Sequence, residues 1–137
     1  MTPSAQTAVI VVRFRRPTGW EEIRHQDDFY RLAYRVSCGT CYAYLGCKSG
    51  EEGDAVSWAC QQLEERGVLS ANTKVILIIR HGGNMSSQVE WERHSYNYVE
   101  KGGSGWRIIE GQGPNRDECQ KIWEDVNKFW DSMRKEE

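Results

Sequence analysis

Two short runs of β-branched and leucine side chains dominate the hydrophobic pattern, and they resemble each other. The first run lies in Thr7–Arg15 (TAVIVVRFR), and the second lies in Thr73–Gly82 (TKVILIIRHG). Side chains branched at Cβ favour extended backbone over helix, and each run is too short to span a membrane. The pattern therefore predicts two buried strands, over Ala8–Arg16 and Thr73–His81.

Strict alternation of polar and apolar residues predicts a hairpin after the first run. Phe29–Val36 places apolar residues on one face and arginines on the other. The tight turn 37–40 (Ser-Cys-Gly-Thr) then leads into a returning strand, Cys41–Cys47. The preceding segment, Trp20–His25, fits either a short strand or a helical turn.

Weaker alternation follows the second run. In Gln88–Glu100 the aromatic residues change parity near residues 93–95, which predicts a bulge or bend there. The glycine-rich stretch 101–105 (Lys-Gly-Gly-Ser-Gly) predicts a loop, and Trp106–Glu110 a further strand. The second run is thus also expected to lead into antiparallel strands.

Apolar residues at helical spacing predict two amphipathic helices. One covers Gly53–Arg66 and ends at Gly67, a suitable residue for a helix C-terminus. The other begins at Asn115, with Glu118 three residues later as in a capping box, and has a long aromatic stripe. Each apolar stripe must be buried against another element.

Together these elements predict one α+β domain over residues 1–137. The likeness of the two halves predicts a pseudo-repeat of two similar units, each of three or four strands and a helix, over residues 7–67 and 73–135. Short connections favour an antiparallel sheet of about six to eight strands. We expect both helices to pack on one face of that sheet, which leaves the other face open.

The composition of the chain indicates where in the cell this domain is expected. The chain has 137 residues and a formal net charge of −2, so it has no overall basic field. No signal peptide is visible, no run approaches the length of a membrane span, and five cysteines without a secretory signal indicate reduced thiols. These features predict an intracellular protein, cytoplasmic or nuclear, with no membrane partner.

Catalytic and metal-binding signatures are weak. No nucleophile elbow or phosphate-binding loop occurs, and the acidic residues fall in turns and on helix exteriors, so we expect no enzymatic activity. Cys38 and Cys41 have the spacing of half a structural zinc site. The other ligands would have to come from separate elements, with these candidates: Cys47, Cys60, His25 and His81. Otherwise the cysteines serve as small apolar side chains, and no cofactor is expected.

Arginines interleaved with tyrosines on the predicted strands give the strongest functional pattern. Guanidinium groups bind phosphates, and aromatic rings stack on exposed bases. An open sheet face that carries both predicts a nucleic-acid-binding module, with RNA, single- or double-stranded, as the expected partner. The candidate binding residues are Arg13, Arg15, Arg31, Arg35, Tyr42, Tyr44, Arg80, Arg93 and Arg107.

A protein–protein adaptor is the alternative, since tryptophan and tyrosine, six of each, favour contact surfaces. Gly19-Trp20 and Gly105-Trp106 resemble hooks for Argonaute-type partners, which would suit a viral or pathogen antagonist of a host pathway such as RNA silencing. Both pairs also fit a turn glycine followed by a packed tryptophan. Exposed strand edges would allow a homodimer. A small enzyme without a recognisable motif is the third alternative.

Overall fold

The chain forms a seven-stranded sheet with a helix on each side. The computed structural model describes residues 4–12, 14–27, 29–81 and 90–135. The strands within these ranges are β1 (Thr7–Val12), β2 (Glu21–Arg24), β3 (Arg31–Ser37), β4 (Thr40–Gly46), β5 (Lys74–Arg80), β6 (His94–Gly102) and β7 (Gly105–Ile108). The helices are α1 (Glu52–Glu65) and α2 (Arg116–Lys135), and a single-turn 3₁₀ helix (Glu90–Arg93) precedes β6.

β1 is the central strand of the sheet, as its uninterrupted apolar sequence requires. The strand order is β2-β3-β4-β1-β5-β6-β7, and β1 pairs in parallel with both β4 and β5. The outer pairs on each side are antiparallel. The prediction of an antiparallel sheet is therefore wrong at its centre, and the sheet is mixed. Helix α1 connects β4 to β5 and returns the chain to the same end of the sheet, which parallel neighbours require.

The two helices lie on opposite faces of the sheet, so the prediction that they share one face is wrong. Alternate residues of β1 belong to two separate cores: Ala8, Ile10 and Val12 pack with α1, whereas Val9 and Val11 pack with α2. Strands that are apolar on both faces need cover on both. We refer to these two sides as the α1 face and the α2 face.

Aromatic side chains hold α2 against its face. Phe14, from the segment after β1, makes edge contacts with Trp123 and Trp130 at centroid distances of 5.2 and 5.4 Å. Trp20 packs on Trp130 at 4.7 Å. The Trp130 indole also donates a hydrogen bond to the Arg15 carbonyl oxygen at 2.8 Å. These contacts fix α2 across the centre of the sheet.

The predicted cap of α2 is confirmed, because the Glu118 amide donates to the Asn115 side-chain oxygen at 2.9 Å. The turn between β3 and β4 is also where it was predicted. Cys38 and Gly39 there have φ values of 51° and 80°, both in the left-handed region that two-residue hairpin turns use. The ambiguous segment after Trp20 is a strand, β2.

Differences from the prediction are larger in the second half. The change of parity before β6 is a 3₁₀ helix, Glu90–Arg93, instead of a bulge. The predicted hairpin loop 101–105 is shorter than expected, since Gly102 already pairs with Gly105 in the β6–β7 hairpin. The pseudo-repeat is not confirmed: β4 lies parallel to β1 in the first unit, whereas β6 lies antiparallel to β5 in the second.

Candidate nucleic-acid interface

The predicted Arg/Tyr sheet face is not open. Four of the predicted binding residues share the α2 face, on β3 and β4: Arg31, Arg35, Tyr42 and Tyr44. Tyr42 stacks on Phe129 of α2 with centroids 4.2 Å apart, and the Arg35 guanidinium donates to the Met133 sulfur at 2.6 Å. Helix α2 therefore occupies the centre of the surface on which the prediction relied.

Other predicted residues are scattered. Arg13 lies outside the described residues, and Arg15 is exposed in the segment between β1 and β2. Arg107, on edge strand β7, forms an ion pair with Glu100 at 2.8 Å. The structure does not bring these arginines together with those of β3.

Arg80 and Arg93 do come together, beside the carboxyl end of β5. Both line a small cavity of about 30 Å³, which has room for a water molecule. The cavity contains two histidines, one acid and two aromatic rings besides the arginines: Phe14, His81, Glu90, His94 and Trp123. Two of the nine predicted residues thus share one site at the end of the sheet.

His94 is the best-defined side chain of this site. It begins β6 opposite Arg80, and its ring packs on Trp123 with centroids 4.1 Å apart. Its Nδ1 atom lies 2.8 Å from the Glu90 carbonyl oxygen. Because a carbonyl only accepts, Nδ1 carries the proton, and in the neutral ring Nε2 is left as an acceptor. Burial lowers the pKa of His94, and this outweighs the opposite effect of the hydrogen bond to Glu90.

A larger groove of about 380 Å³ also reaches His94. Its walls come from the 3₁₀ helix, β6 and the start of α2: Trp91, Glu92, His94, Tyr96, Pro114, Arg116 and Cys119. The Arg116 guanidinium lies over the Trp91 ring, 5.4 Å from its centre, and pairs with the Glu92 carboxylate. We refer to this site as the His94 groove. It combines ring faces with one arginine, which is paired with a carboxylate.

Two polar atoms of groove residues, His94 Nε2 and Tyr96 Oη, are buried and have no hydrogen-bond partner among the residues that the structure describes. Burial of an unsatisfied polar group costs free energy, so such atoms call for a ligand or a water. Burial also raises the pKa of the Tyr96 hydroxyl and of the Cys119 thiol. At neutral pH these three side chains are uncharged, which suits hydrogen bonding to a polar, planar ligand.

The sequence prediction missed Trp91, His94, Tyr96 and Arg116. They are brought together by a 3₁₀ helix and by the first turn of α2, which are more than twenty residues apart in the chain. The sequence signal that could have found the first three is the dense aromatic and basic stretch between Trp91 and Tyr98 (WERHSYNY). The prediction used the parity of this stretch and, as a binding residue, Arg93 alone.

The zinc candidates do not converge on each other. Cys38 is exposed in the β3–β4 turn, whereas Cys41 is buried in the core of the α1 face. Burial raises the pKa of Cys41 to about 12, and that of Cys60, in the same core, to about 12. Within the described ranges, no group of three potential ligands among His, Cys, Asp and Glu could hold a metal ion.

Comparisons with models of protein families, with curated proteins and with solved structures found no significant match to this chain. Neither helix in the described part of the chain is long and apolar enough to cross a membrane.

Proposed function

We propose that this protein is a non-enzymatic module that binds single-stranded RNA through the His94 groove. The observation that carries the proposal is the joint presence of ring faces, arginines and two unpartnered polar atoms at one end of the sheet. Proteins that bind single strands use this combination: aromatic side chains stack on unpaired bases, and arginines contact the backbone. The proposal keeps the predicted partner and moves the site from the sheet face to the groove.

The groove suits an unpaired base better than a duplex. Its volume of about 380 Å³ falls in the usual range of sites for small ligands. The Trp91 and Tyr96 rings offer stacking surfaces in its walls. Hydrogen-bond donors on a base edge would match His94 Nε2, an acceptor in the neutral ring. Bases within a duplex have their faces stacked and their Watson–Crick edges paired, so the proposal specifies single strands.

Phosphates would contact Arg116 in the groove wall and Arg93 in the adjoining cavity. Arg116 can serve in this way because its ion pair with Glu92 is exposed, with 76% and 41% of the two side chains accessible. Exposed ion pairs contribute little, about 0–1 kcal/mol, so a phosphate can replace the carboxylate at small cost. Arg93 lies in the neighbouring cavity, which shares His94 with the groove. A nucleotide held at His94 would thus have an arginine on each side.

The non-enzymatic part of the proposal follows from the ionisation of the groove residues. The Cys119 thiol has a raised pKa, so it is a poor nucleophile at neutral pH. The Tyr96 hydroxyl has a raised pKa and does not ionise there, and the pKa of His94 is lowered. The groove thus offers hydrogen bonds and ring contacts to a ligand, without an activated nucleophile among these three groups.

The test is a titration of the protein with a fluorescent single-stranded RNA at two salt concentrations. The Arg93→Ala, Arg116→Ala double variant should bind more weakly, and the slope of log affinity against log salt should fall by about 0.7 for each phosphate that is no longer neutralised. The matched control is the Arg24→Ala, Arg107→Ala variant. It removes two exposed arginines, each also paired with a glutamate, that do not line the groove. It should bind like the unmodified protein.

Equal weakening in both variants would show that only overall charge matters, and the groove assignment would be wrong. Preference for an RNA duplex over the single strand would contradict the single-strand specificity. If no RNA binds at low salt, the proposed function fails and the adaptor alternative is favoured.

A further inference from the structure

A second cluster of aromatic rings lies on the α1 face, away from the His94 groove. The His25 ring contacts Phe29, Tyr30 and Trp58, with centroid distances of 6.1, 5.1 and 5.6 Å. Tyr30 and Trp58 also contact each other at 5.8 Å. Phe29 is 55% exposed, although large apolar side chains are usually buried. Exposed aromatic surface of this kind is typical of interaction sites.

Acidic side chains at the start of α1 adjoin this cluster. The pKa of the Tyr30 hydroxyl is raised, first by burial and then by the neighbouring carboxylates of Glu51 and Asp54. One carboxylate oxygen of Glu51, Oε2, is buried, and no donor in the described part of the chain hydrogen-bonds to it. A buried carboxylate oxygen without a donor is costly, and a cation with N–H groups would satisfy it.

We propose that this aromatic–acidic patch binds an arginine side chain from a basic segment of a partner protein. The patch is formed by His25, Phe29, Tyr30, Glu51, Asp54 and Trp58. A guanidinium is attracted to ring faces and can also donate two parallel hydrogen bonds to a carboxylate. Charge complementarity thus selects a cationic partner and repels nucleic acid.

This inference does not depend on the proposed function. The His94 groove is proposed to bind an anionic ligand through Arg116 in its wall and Arg93 in the adjoining cavity, whereas the patch has carboxylates and suits a cationic ligand. The two surfaces also belong to opposite faces of the sheet. RNA and a basic protein could therefore be bound at the same time.

The test uses two short capped peptides, glycine-rich and identical except that arginine in one is citrulline in the other. Citrulline has nearly the shape of arginine but no charge. Binding is followed by the indole N–H resonance of Trp58 in ¹H–¹⁵N spectra, assigned with a Trp58→Phe variant. The arginine peptide should shift this resonance saturably, and the citrulline peptide should not.

Phe29→Ala should weaken binding of the arginine peptide about two- to fivefold, the range expected for an exposed cation–π contact. Glu51→Gln should weaken it as well. The matched control is Val36→Ala, which also truncates an exposed hydrophobic side chain, 47% accessible, at a different place on β3. It should leave binding unchanged.

Equal binding of the two peptides, or an equal loss of affinity in the Val36 and Phe29 variants, would overturn the proposal. So would a dimer in solution that Phe29→Ala dissociates, because a second copy would then be the occupant of the patch. Circular dichroism of each variant checks that the fold is retained, which is expected for the exposed Phe29 and Val36 side chains.

Discussion

The ring of Tyr42 on β4 stacks face to face on the ring of Phe129 on α2, with centroids 4.2 Å apart and an interplanar angle of 17°. This contact covers a ring face that the sequence analysis assigned to nucleic-acid binding. A tyrosine predicted to stack on a base instead stacks on a helix of its own chain. The candidate site therefore lies at the end of the sheet instead of in its middle.

Replacement of Phe129 by alanine should destabilise the protein. Phe129 is half-buried, and removal of its ring deletes the stacking contact with Tyr42 and one of the two ring contacts of Trp20. We expect a decrease of about 2–3 kcal/mol in the free energy of unfolding, below the usual range for fully buried phenylalanines. Urea unfolding followed by circular dichroism measures it.

Lys128→Ala is the control for this substitution, because Lys128 is the exposed neighbour of Phe129 on α2. It should change the free energy of unfolding by less than about 0.5 kcal/mol. If the two variants were equally stable, α2 would not be packed on this face as described.

The stripe and the cap of α2 were predictable from sequence, but its side of the sheet was not. Helical periodicity indicates that Trp123, Val126 and Trp130 are buried, and it contains no information about what covers them. The missing information lies in β1. Since Ala8–Val12 is apolar at every position, both faces of the strand need cover, and two helices on one face cannot supply it.

The candidate site was predictable only in part for a related reason. Arg80 and Arg93 could be inferred, because they adjoin a strongly predicted strand and an aromatic segment. Arg116 and Trp91 are 25 positions apart and meet because the segment before α2 packs along β6, which places the first residue of α2 beside the 3₁₀ helix. Such a contact depends on tertiary packing, and the spacing of residues in the chain does not show it.

Gly113 should not tolerate a side chain. A Cβ atom there would lie 2.9 Å from the Tyr96 carbonyl carbon and still closer to its oxygen. Backbone atoms cannot move aside as a flexible side chain can. We expect Gly113→Ala to destabilise the protein by about 2 kcal/mol or more, toward the upper end of the range for overpacking. The change in urea midpoint measures this.

Gly103→Ala is the matched control, because a Cβ atom at Gly103 meets nothing within 4 Å. It should remain close to the unmodified protein in stability. Since Pro114 and Tyr96 both line the His94 groove, Gly113→Ala should also weaken RNA binding. A Gly113→Ala variant of unchanged stability would contradict the close approach of these two segments.

The stability of the protein should depend on the ionisation of His94. Burial lowers its pKa from an ordinary value of 6.5, and the charges of Arg80 and His81 act in the same direction. The hydrogen bond to the Glu90 carbonyl and the Glu90 carboxylate oppose this shift without cancelling it. Below pH 6.5 the unfolded chain therefore takes up a proton at this position before the folded protein does.

The stability of the protein should therefore decrease as the pH falls. The contribution of His94 to the free energy of unfolding is fully present above pH 6.5. It is lost as the pH falls from 6.5 through the lowered pKa of the folded state. The loss is at most about 1.4 kcal/mol per pH unit. We expect the difference in unfolding free energy between the unmodified protein and His94→Gln to shrink over this window. Urea titrations between pH 7.5 and about 5 measure it. The control is His81→Gln, which removes an exposed histidine of the same cavity. If the pH dependence of the unfolding free energy changed equally in both variants, His94 would not be the group responsible.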